Sequence, residues 1–258
     1  RATRRAAIAA GGAGARLRAA VCIAGLSRSL APPEVYKSIA ENVTASLEAD
    51  VSIFYVFDTQ HRNLGDFDEV FRLVPPANLA FYDADANNTV WDRLEPCGLT
   101  VTPCHSQFEK LRTCLRLVEA AEAAGGRRFD WVVRLRPDVR WHAPIGALAD
   151  MDEGVLHLTV RQSQPASDPL DMFALVPRRH AEVYFGVGCP SEEDVRRAEC
   201  TGASTDLATQ VTWCTCECAV KARLTSHGVP IANFPPIYQI VRESMCRPGD
   251  PKCKQGWT

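Results

Sequence analysis

The sequence lacks the signatures of several large classes of protein. No apolar run in its 258 residues reaches membrane-spanning length, and a formal net charge of -2 leaves no basic face for general nucleic-acid binding. Walker A, GxGxxG and GxSxG strings are absent from the positions where they would act. No internal repeat of about 20 to 50 residues is visible. These absences argue against P-loop, dinucleotide-binding, nucleophile-elbow and solenoid proteins.

The composition is that of a folded α/β protein, with 46% hydrophobic and 23% charged residues. Residues 1–19 are rich in Arg, Ala and Gly and poor in large apolar groups, which predicts a flexible stem or the remnant of a processed leader. Residues 20–245 form one predicted domain, and residues 246–258 an irregular tail. The chain begins at Arg1 rather than Met, so we expect that a signal peptide or membrane anchor can precede it.

Eleven cysteines and two sequons, at Asn42 and Asn87, favour a protein of the secretory lumen, where disulfides persist and N-glycans are added. Three pairs lie in loop-like segments and predict local bridges: Cys97 with Cys104, Cys189 with Cys200, and Cys246 with Cys253. Cys22 and Cys114 lie in apolar patterns and are predicted to be buried thiols rather than bridge partners. Because the total is odd, at least one thiol stays free.

Strands and helices alternate in the way that predicts a mostly parallel sheet of the nucleotide-binding type. The predicted strands are 20–26, 51–57, 79–82, 131–135, 155–160, 170–176 and 229–234. The predicted helices are 32–47, 106–124, 178–185, 191–199 and 205–226, the last interrupted around residues 213–218. The helix 106–124 has the clearest apolar periodicity and ends at a Gly-Gly pair.

The stretch FDWVVRLRPDVRW, residues 129–141, is the most informative part of the chain. Its apolar run reads as a buried strand that Pro137 ends, so Arg134, Arg136 and Asp138 lie at or just past a strand end. Two guanidiniums beside a carboxylate can hold a diphosphate and a divalent cation. The alternative is an ion pair that caps a strand.

The first strand runs into a tight turn with Gly25, Ser27 and Arg28, whose N–H groups and guanidinium can meet phosphate. An ordinary strand-to-helix turn explains the same residues. A right-handed crossover through helix 106–124 predicts that this turn and the Arg-Pro-Asp turn lie at the same edge of the sheet. That convergence is the main structural prediction from the residues.

Other polar groups compete as candidate sites. Cys214, Cys216 and Cys218 suggest zinc, but their spacing is unusual for a zinc site and favours disulfides or buried thiols. Asp83-Ala84-Asp85 follows a strand and rivals Asp138 as a cation site, whereas the acidic pairs 66/68 and 150/152 lie in polar loops. Asp171, a charge inside an apolar run, needs a partner or a ligand unless it faces solvent.

The order GLSR, a long helix, FDWVVRLRPD, LDMFALVPRRHAEVY, CECAVKARLTSHGVPI and IVR resembles a GT-A-type glycosyltransferase family of algal and plant domains and bacterial surface-polysaccharide enzymes. The resemblance covers about residues 20–242. It implies a GT-A, Rossmann-like fold with a mostly parallel central sheet flanked by helices. It also implies a nucleotide-diphosphate sugar donor (UDP- or GDP-sugar), with Mn²⁺ or Mg²⁺ as a possible cofactor, and a glycan or glycoprotein acceptor.

Position by position, the resemblance implies that Asp138 is the metal- or diphosphate-side carboxylate, with Arg134 and Arg136 in place of the first Asp of the Asp-x-Asp motif. This replacement puts metal dependence in doubt. The resemblance assigns Arg28 and Arg242 to the nucleotide and diphosphate. Asp171 and Glu217 would then lie near the sugar or acceptor, although Cys216 replaces the Pro that precedes the family's Glu.

The resulting hypothesis is a lumenal, Golgi-type glycosyltransferase that contacts the membrane only through an anchor upstream of Arg1 and binds no nucleic acid. A catalytically silent glycan- or protein-binding module of the same fold is the alternative. A nucleotidyltransferase, which also uses carboxylates at strand ends, is a third possibility.

Overall fold

The computed structural model describes residues 16–27, 30–58, 67–83, 99–100, 104–160, 168–188, 190–200, 203–206 and 211–241. Within these ranges the side chains of residues 99–100, 104–105, 171, 203–206 and 211–214 lie outside the description. No helix of the described part combines the length and apolar character needed to cross a bilayer.

The strands, numbered in chain order, are β1 (Arg18–Gly25), β2 (Asp50–Asp58), β3 (Pro76–Tyr82), β4 (Leu99–Thr100), β5 (Trp131–Leu135), β6 (Val139–Trp141), β7 (Leu156–Val160), β8 (Pro169–Pro177), β9 (Ala203–Asp206), β10 (Val211–Cys214), β11 (Ile231–Asn233) and β12 (Tyr238–Ile240). The α-helices are α1 (Pro33–Ser38), α2 (Asp68–Leu73), α3 (Cys104–Gly125), α4 (Ala181–Phe185), α5 (Glu192–Arg197) and α6 (Cys216–Ser226). A π-helix (Ile39–Thr44) continues α1, and short 3-10 helices span Leu148–Asp150 and Arg178–His180.

Seven strands form the central sheet in the order β11-β7-β8-β5-β1-β2-β3. β1 pairs in parallel with β2 and β5, and only β8 runs antiparallel to its neighbours. β1 is central and buried on both faces, which explains its uninterrupted apolar sequence. The predicted α/β class, with a mostly parallel sheet flanked by helices, is confirmed.

Side chains of alternate residues of β1 enter two separate cores. Ala20 and Cys22 pack with α3, α4, α5 and α6 on one face of the sheet, whereas Val21 and Ile23 pack with α1, the π-helix and α2 on the other. Helices thus cover both faces. The sheet's carboxyl edge, where the parallel strands end, is left for the turns that carry polar residues.

Cys22 and Cys114 form a disulfide that joins β1 to α3, so the prediction of two buried thiols is wrong. Both are fully buried, which is why their sequence patterns look purely apolar. The crossover helix stacks its apolar face on the first strand, and the two sulfurs meet although they are 92 residues apart in the chain. Sequence spacing carries no signal for such a contact.

Other cysteines behave differently from the predictions. Cys200 is a free thiol, so the predicted Cys189–Cys200 bridge is wrong, and Cys189 itself lies outside the described residues. Cys216 and Cys218 are both disulfide-bonded, which confirms disulfides over zinc for that run. The predicted bridges at 97/104 and 246/253 involve residues or side chains outside the description.

The long helix predicted over residues 205–226 is wrong in its first half. Residues 203–206 and 211–214 pair as the antiparallel strands β9 and β10, and the helix starts only at Cys216, after the N-cap Thr215. Thr205, Val211 and Thr212 are β-branched and favour strand geometry. The sequence patterns do not predict the short helix α2. They assign Asp68 to a polar loop, whereas Asp68 is the first residue of this helix.

The sequon at Asn42 lies inside the π-helix. The half-buried Asn42 side chain donates a hydrogen bond from Nδ2 to the Trp141 carbonyl at 3.1 Å. The Nδ2 atom that would carry an N-glycan is thus engaged with the backbone at the end of β6. The second sequon, at Asn87, lies outside the described residues.

Removing the Cys22–Cys114 disulfide is expected to destabilise the fold strongly. The bridge closes a loop of 92 residues and so restricts the unfolded chain. We expect Cys22→Ala with Cys114→Ala to lower the free energy of unfolding by about 4 kcal/mol, measured by urea denaturation. Cys200→Ala is the control, because it removes a free thiol and should change stability much less; equal losses would contradict the prediction.

A buried ion pair at the opposite edge of the sheet joins α3 to the end of β8. Arg178 donates to both carboxylate oxygens of Glu122 at 2.8 Å, and both side chains are 8% exposed. Glu122→Gln should lower the free energy of unfolding by about 2 kcal/mol in urea, because the buried Arg178 guanidinium keeps only the more distant carboxylates of Glu119 and Glu182, at 3.7 and 3.6 Å. Glu69→Gln, in an exposed pair with Arg72, should leave stability unchanged within error. Similar losses for both variants would refute this ranking.

Candidate functional site

The carboxyl ends of β1 and β5 meet at the switch point of the sheet. From β1 the chain builds β2 and β3 to one side, and β5 then starts the other side. Ile23 pairs with Leu135, which brings the turns after the two strands together. In open α/β sheets, ligands bind in the crevice at such a point. The predicted convergence of the two strand ends is therefore confirmed.

Gly25 packs directly against Pro137 between these turns. Its φ is 151°, and a Cβ at this position would lie 2.9 Å from Cδ of Pro137. A larger residue would separate the two turns or strain the backbone. Gly25 thus lets the Arg-Pro-Asp turn pack directly against the end of β1.

Arg136 and Asp138 form a two-pronged ion pair beside this contact. Nε and Nη2 of Arg136 donate to the two carboxylate oxygens of Asp138 at 2.8 and 2.7 Å, and the side chains are 25% and 16% exposed. Burial acts to raise the pKa of Asp138, but the hydrogen bonds and charge of Arg136, with a further contribution from Arg134, hold that pKa below its usual value. Asp138 is therefore a carboxylate at neutral pH.

Arg134 lies inside β5 and is only 1% exposed. It pairs with Cys22 and Ala174, and its guanidinium donates to the Met172 carbonyl at 3.3 Å near the start of β8. The charge of Arg134 lowers the pKa of Asp138. Because Arg134 is buried, it acts on Asp138 from inside the sheet and is not exposed to solvent. The prediction that it lies at the strand end holds for its backbone.

Ser27 is buried, and its carbonyl accepts a hydrogen bond from Leu30 at 2.9 Å, which closes the turn after β1. On the other side of the site, the Val241 N–H donates to the Asp138 carbonyl at 2.8 Å. Arg28 and Arg242 follow these two segments directly in the sequence. Both lie outside the described residues.

The backbone of Asp171 lies at the same edge of the sheet. β8 is antiparallel to β5 with Phe173 opposite Leu135, so residue 171, two positions earlier, is level with the turn that carries Asp138. The Asp171 side chain is outside the description. Its role as a catalytic group stays a prediction.

Glu217 lies in the first turn of α6, after the capping residue Thr215. Lys221, one turn later on the same helix face, contacts Asp168 at 3.5 Å, and Asp168 immediately precedes β8. The first turns of α6 therefore lie at the carboxyl edge. The structure brings Gly25, Arg136, Asp138 and the Asp171 backbone together, with Glu217 on the helix above the start of β8.

A buried ion pair at the end of β2 was missed from the sequence. Lys110 on α3 donates to Asp58 at 2.9 Å, and its ammonium lies 5.0 Å from the centre of the Tyr82 ring. The sequence did contain a signal. Asp58 closes an otherwise apolar run, and Lys110 falls between Phe108 and Leu111 on the apolar face of α3.

The rival acidic motif lies elsewhere. Asp83 follows β3, which is three strands away from β5, and strands about 4.8 Å apart place it on the order of 14 Å from the Asp138 turn. The two motifs cannot share one ion. Ala84 and Asp85 lie outside the described residues.

The described side chains around Asp138 do not fit a divalent cation. Both of its oxygens already accept from Arg136, and the charge of Arg134 acts in the same direction. Across the part of the chain that the structure describes, no three His, Cys, Asp or Glu residues are grouped as a metal site would require. The guanidinium of Arg136 occupies the place where a cation would contact the carboxylate.

The free thiol is not suited to nucleophilic chemistry. Burial, with the nearby Asp168 carboxylate, raises the pKa of Cys200 to about 12. Its Sγ contacts the Cys218 carbonyl at 3.3 Å in the helical layer. Cys200 is therefore protonated at neutral pH.

No family model and no curated protein matches the sequence. Among solved structures, the chain is similar to the apo crystal structure of mouse xyloside xylosyltransferase 1, with a TM-score of 0.45 and 8% sequence identity over 85% of each chain. At that TM-score the similarity carries no argument.

The Arg136–Asp138 pair predicts a specific pH dependence of stability. The folded-state pKa of Asp138 lies below its unfolded value of about 3.9, so the pair stabilises the fold above that pH and is lost as the pH falls through the lower folded value. Asp138→Asn should cost about 2 kcal/mol at pH 7 and flatten the loss of stability below about pH 4. Urea denaturation across pH measures both effects.

The matched control is Asp50→Asn, in an exposed pair with Arg16 at 3.7 Å. This variant should keep the wild-type acid limb. An Asp138→Asn protein with an unaltered acid limb would show that the ion pair does not contribute to folding.

Proposed function

We propose that this protein is a glycosyltransferase that moves a sugar from a nucleotide-diphosphate donor to an acceptor hydroxyl on a glycan or glycoprotein. The observation that carries the proposal is the packing of Gly25 against Pro137 at the sheet's switch point, beside the Arg136–Asp138 pair. It brings a guanidinium and a carboxylate together at the point where open α/β sheets bind their ligands. The resemblance around residues 129–141 supports the same reading.

In this proposal the donor's diphosphate lies along the turns after β1 and β5. As the bond from the anomeric carbon to the diphosphate oxygen breaks, negative charge grows on the diphosphate. Arg136 is proposed to stabilise this charge, because its guanidinium lies beside the turn where the diphosphate is proposed to bind. Arg28 and Arg242 are proposed to add further positive charge. The buried Arg134 is proposed to contribute a positive potential at the same edge of the sheet.

The acceptor oxygen forms the new bond to the anomeric carbon and loses its proton. Asp171 or Glu217 is proposed to take that proton if the reaction inverts the anomeric centre. If it retains the configuration, the same residue would lie next to the anomeric carbon. The position of the Asp171 backbone beside the Asp138 turn supports Asp171 as the first choice.

The metal role that the resemblance assigns to Asp138 is not used in this mechanism. The donor set around Asp138 favours neutralisation of the diphosphate by arginine, so we propose turnover without Mn²⁺ or Mg²⁺. We also propose that the protein resides in the Golgi lumen. Disulfides at Cys22–Cys114 and at Cys216 and Cys218 support an oxidising compartment.

One observation favours the alternative, a catalytically silent module of the same fold. The Asp138 carboxylate is fully engaged by Arg136, as it would be in a purely structural pair. Such a module would bind a glycan or a partner protein without turning over a nucleotide sugar. Measuring donor binding and hydrolysis separates the two functions.

Hydrolysis of UDP- and GDP-sugars tests the enzyme. We expect wild-type protein to release the nucleoside diphosphate equally with Mn²⁺ and with EDTA. Arg136→Ala removes the proposed transition-state donor and should lower the rate on the order of a hundredfold, whereas Asp138→Asn removes only the carboxylate that orients Arg136 and should lower the rate less. Asp83→Asn, at the rival motif, should retain the wild-type rate. Thermal unfolding of each variant reports whether it is folded.

Loss of turnover in Asp83→Asn alone would move the site to the end of β3. Activity that EDTA abolishes would refute the metal-free mechanism. If calorimetry detects no binding of any nucleotide sugar to the wild-type protein, the module is the correct function.

A further inference from the structure

A cavity lies within the helical layer, between α3, α5, α6 and the segment that follows α4. Its volume is about 300 Å³, which is the lower end of the range for small-molecule sites. The residues that line it are Arg112, Gly186, Gly188, Pro190, Asp194, Arg223 and Ser226. None of these lining residues belongs to the candidate site around Asp138 at the carboxyl edge of the sheet.

Arg223 is the unusual residue of this cavity. Arg223 is half-buried, and its Nε is buried without a hydrogen-bond partner among the described residues. A buried donor without an acceptor destabilises a protein, and arginines at such sites usually contact a carboxylate or phosphate. The Arg223 side chain is therefore set up for an acceptor that the described protein residues do not provide.

Arg112 brings a second guanidinium to the same cavity from α3. Its Nη2 donates to the Val187 carbonyl at 3.0 Å, and it pairs with Glu109 on its own helix. Gly188 leaves room around it, because a Cβ at that position would lie 2.7 Å from Nη2 of Arg112. Together these contacts fix the guanidinium at the cavity wall.

The one carboxylate of the lining is engaged elsewhere. Asp194 accepts hydrogen bonds from the Ser191 hydroxyl at 2.7 Å and the Ser191 N–H at 3.3 Å, as the capping box of α5. These hydrogen bonds hold the pKa of Asp194 below its usual value, so the carboxylate remains charged and satisfied by its cap. Arg223 therefore has no carboxylate partner among the described residues of the lining, and Arg112, already paired with Glu109, adds a second guanidinium to the same cavity.

We infer that this cavity binds a small anionic ligand of monosaccharide size, with its carboxylate or phosphate group at Arg223 and Arg112. The hydroxyl of Ser226, which donates to the Arg223 carbonyl at 3.1 Å, lines the same wall and can accept from a sugar hydroxyl. This site is separate from the proposed donor site.

Calorimetry and thermal unfolding of the full chain test the inference, with sodium phosphate, sodium glucuronate and neutral galactose as probes at constant ionic strength. We expect saturable binding of phosphate or glucuronate, with a rise in Tm, and none for galactose. Binding of phosphate alone would identify a phosphorylated ligand, and binding of glucuronate alone a uronic acid. Absence of saturable binding of either anion, or an equal response to galactose, would overturn the inference.

Three variants assign the binding to this cavity. Arg223→Met should abolish the ligand-induced shift while leaving the ligand-free Tm unchanged or higher, because it removes an unpartnered buried donor. Gly188→Ala should weaken binding at least tenfold without changing any charge. Arg116→Gln, an exposed arginine one turn along α3 from Arg112, is the matched control and should bind as wild type. A full ligand-induced shift in Arg223→Met would disprove the assignment.

Discussion

The parallel pairing of β1 with β5 is the constraint on which the functional part of this structure depends. It brings together two turns that are about 110 residues apart in the chain, and the absence of a side chain at Gly25 lets Pro137 approach within van der Waals contact. The crossover helix α3 and its disulfide to β1 hold the same two elements in place from one face. The contact between Gly25 and Pro137 fixes the position of Asp138 next to the end of β1.

Charge at that edge is balanced locally rather than left open. Asp138 is paired with Arg136, Asp58 with Lys110, and Asp168 with Lys221, each at the end or start of a strand. Such pairing permits buried carboxylates near the edge without a metal ion. It also means that a bound diphosphate would compete with the protein's own carboxylates for the arginine, which ties ligand binding to rearrangement of an existing ion pair.

The two proposed sites use arginine in different states. Arg136 has a protein carboxylate as its partner, whereas Arg223 has none in the described structure and borders a cavity. The first arrangement stabilises the fold in the absence of ligand, and the second does not. For that reason stability and ligand binding are expected to change together at Arg136 and in opposite directions at Arg223.

The sequence by itself determined the strands and helices with strong periodicity, and the α/β class that follows from their alternation. It also identified the Arg-Pro-Asp turn, since a proline after an apolar run ends a strand wherever that strand lies. Its errors arose where contacts are remote. Cys22 and Cys114 looked like isolated apolar positions, and the segment around Val211 looked helical until its pairing with β9 decided otherwise.

Only the tertiary structure decided which polar groups meet. The carboxylates of Asp138 and Asp83 both follow a strand in the sequence, but the strand order of the sheet separates the two motifs by three strands. Arg112 and Arg223 lie on different helices and become neighbours only when both pack in the same layer. Local pattern reports the conformation of a segment, whereas the electrostatic surroundings of a side chain depend on residues that the fold brings from elsewhere.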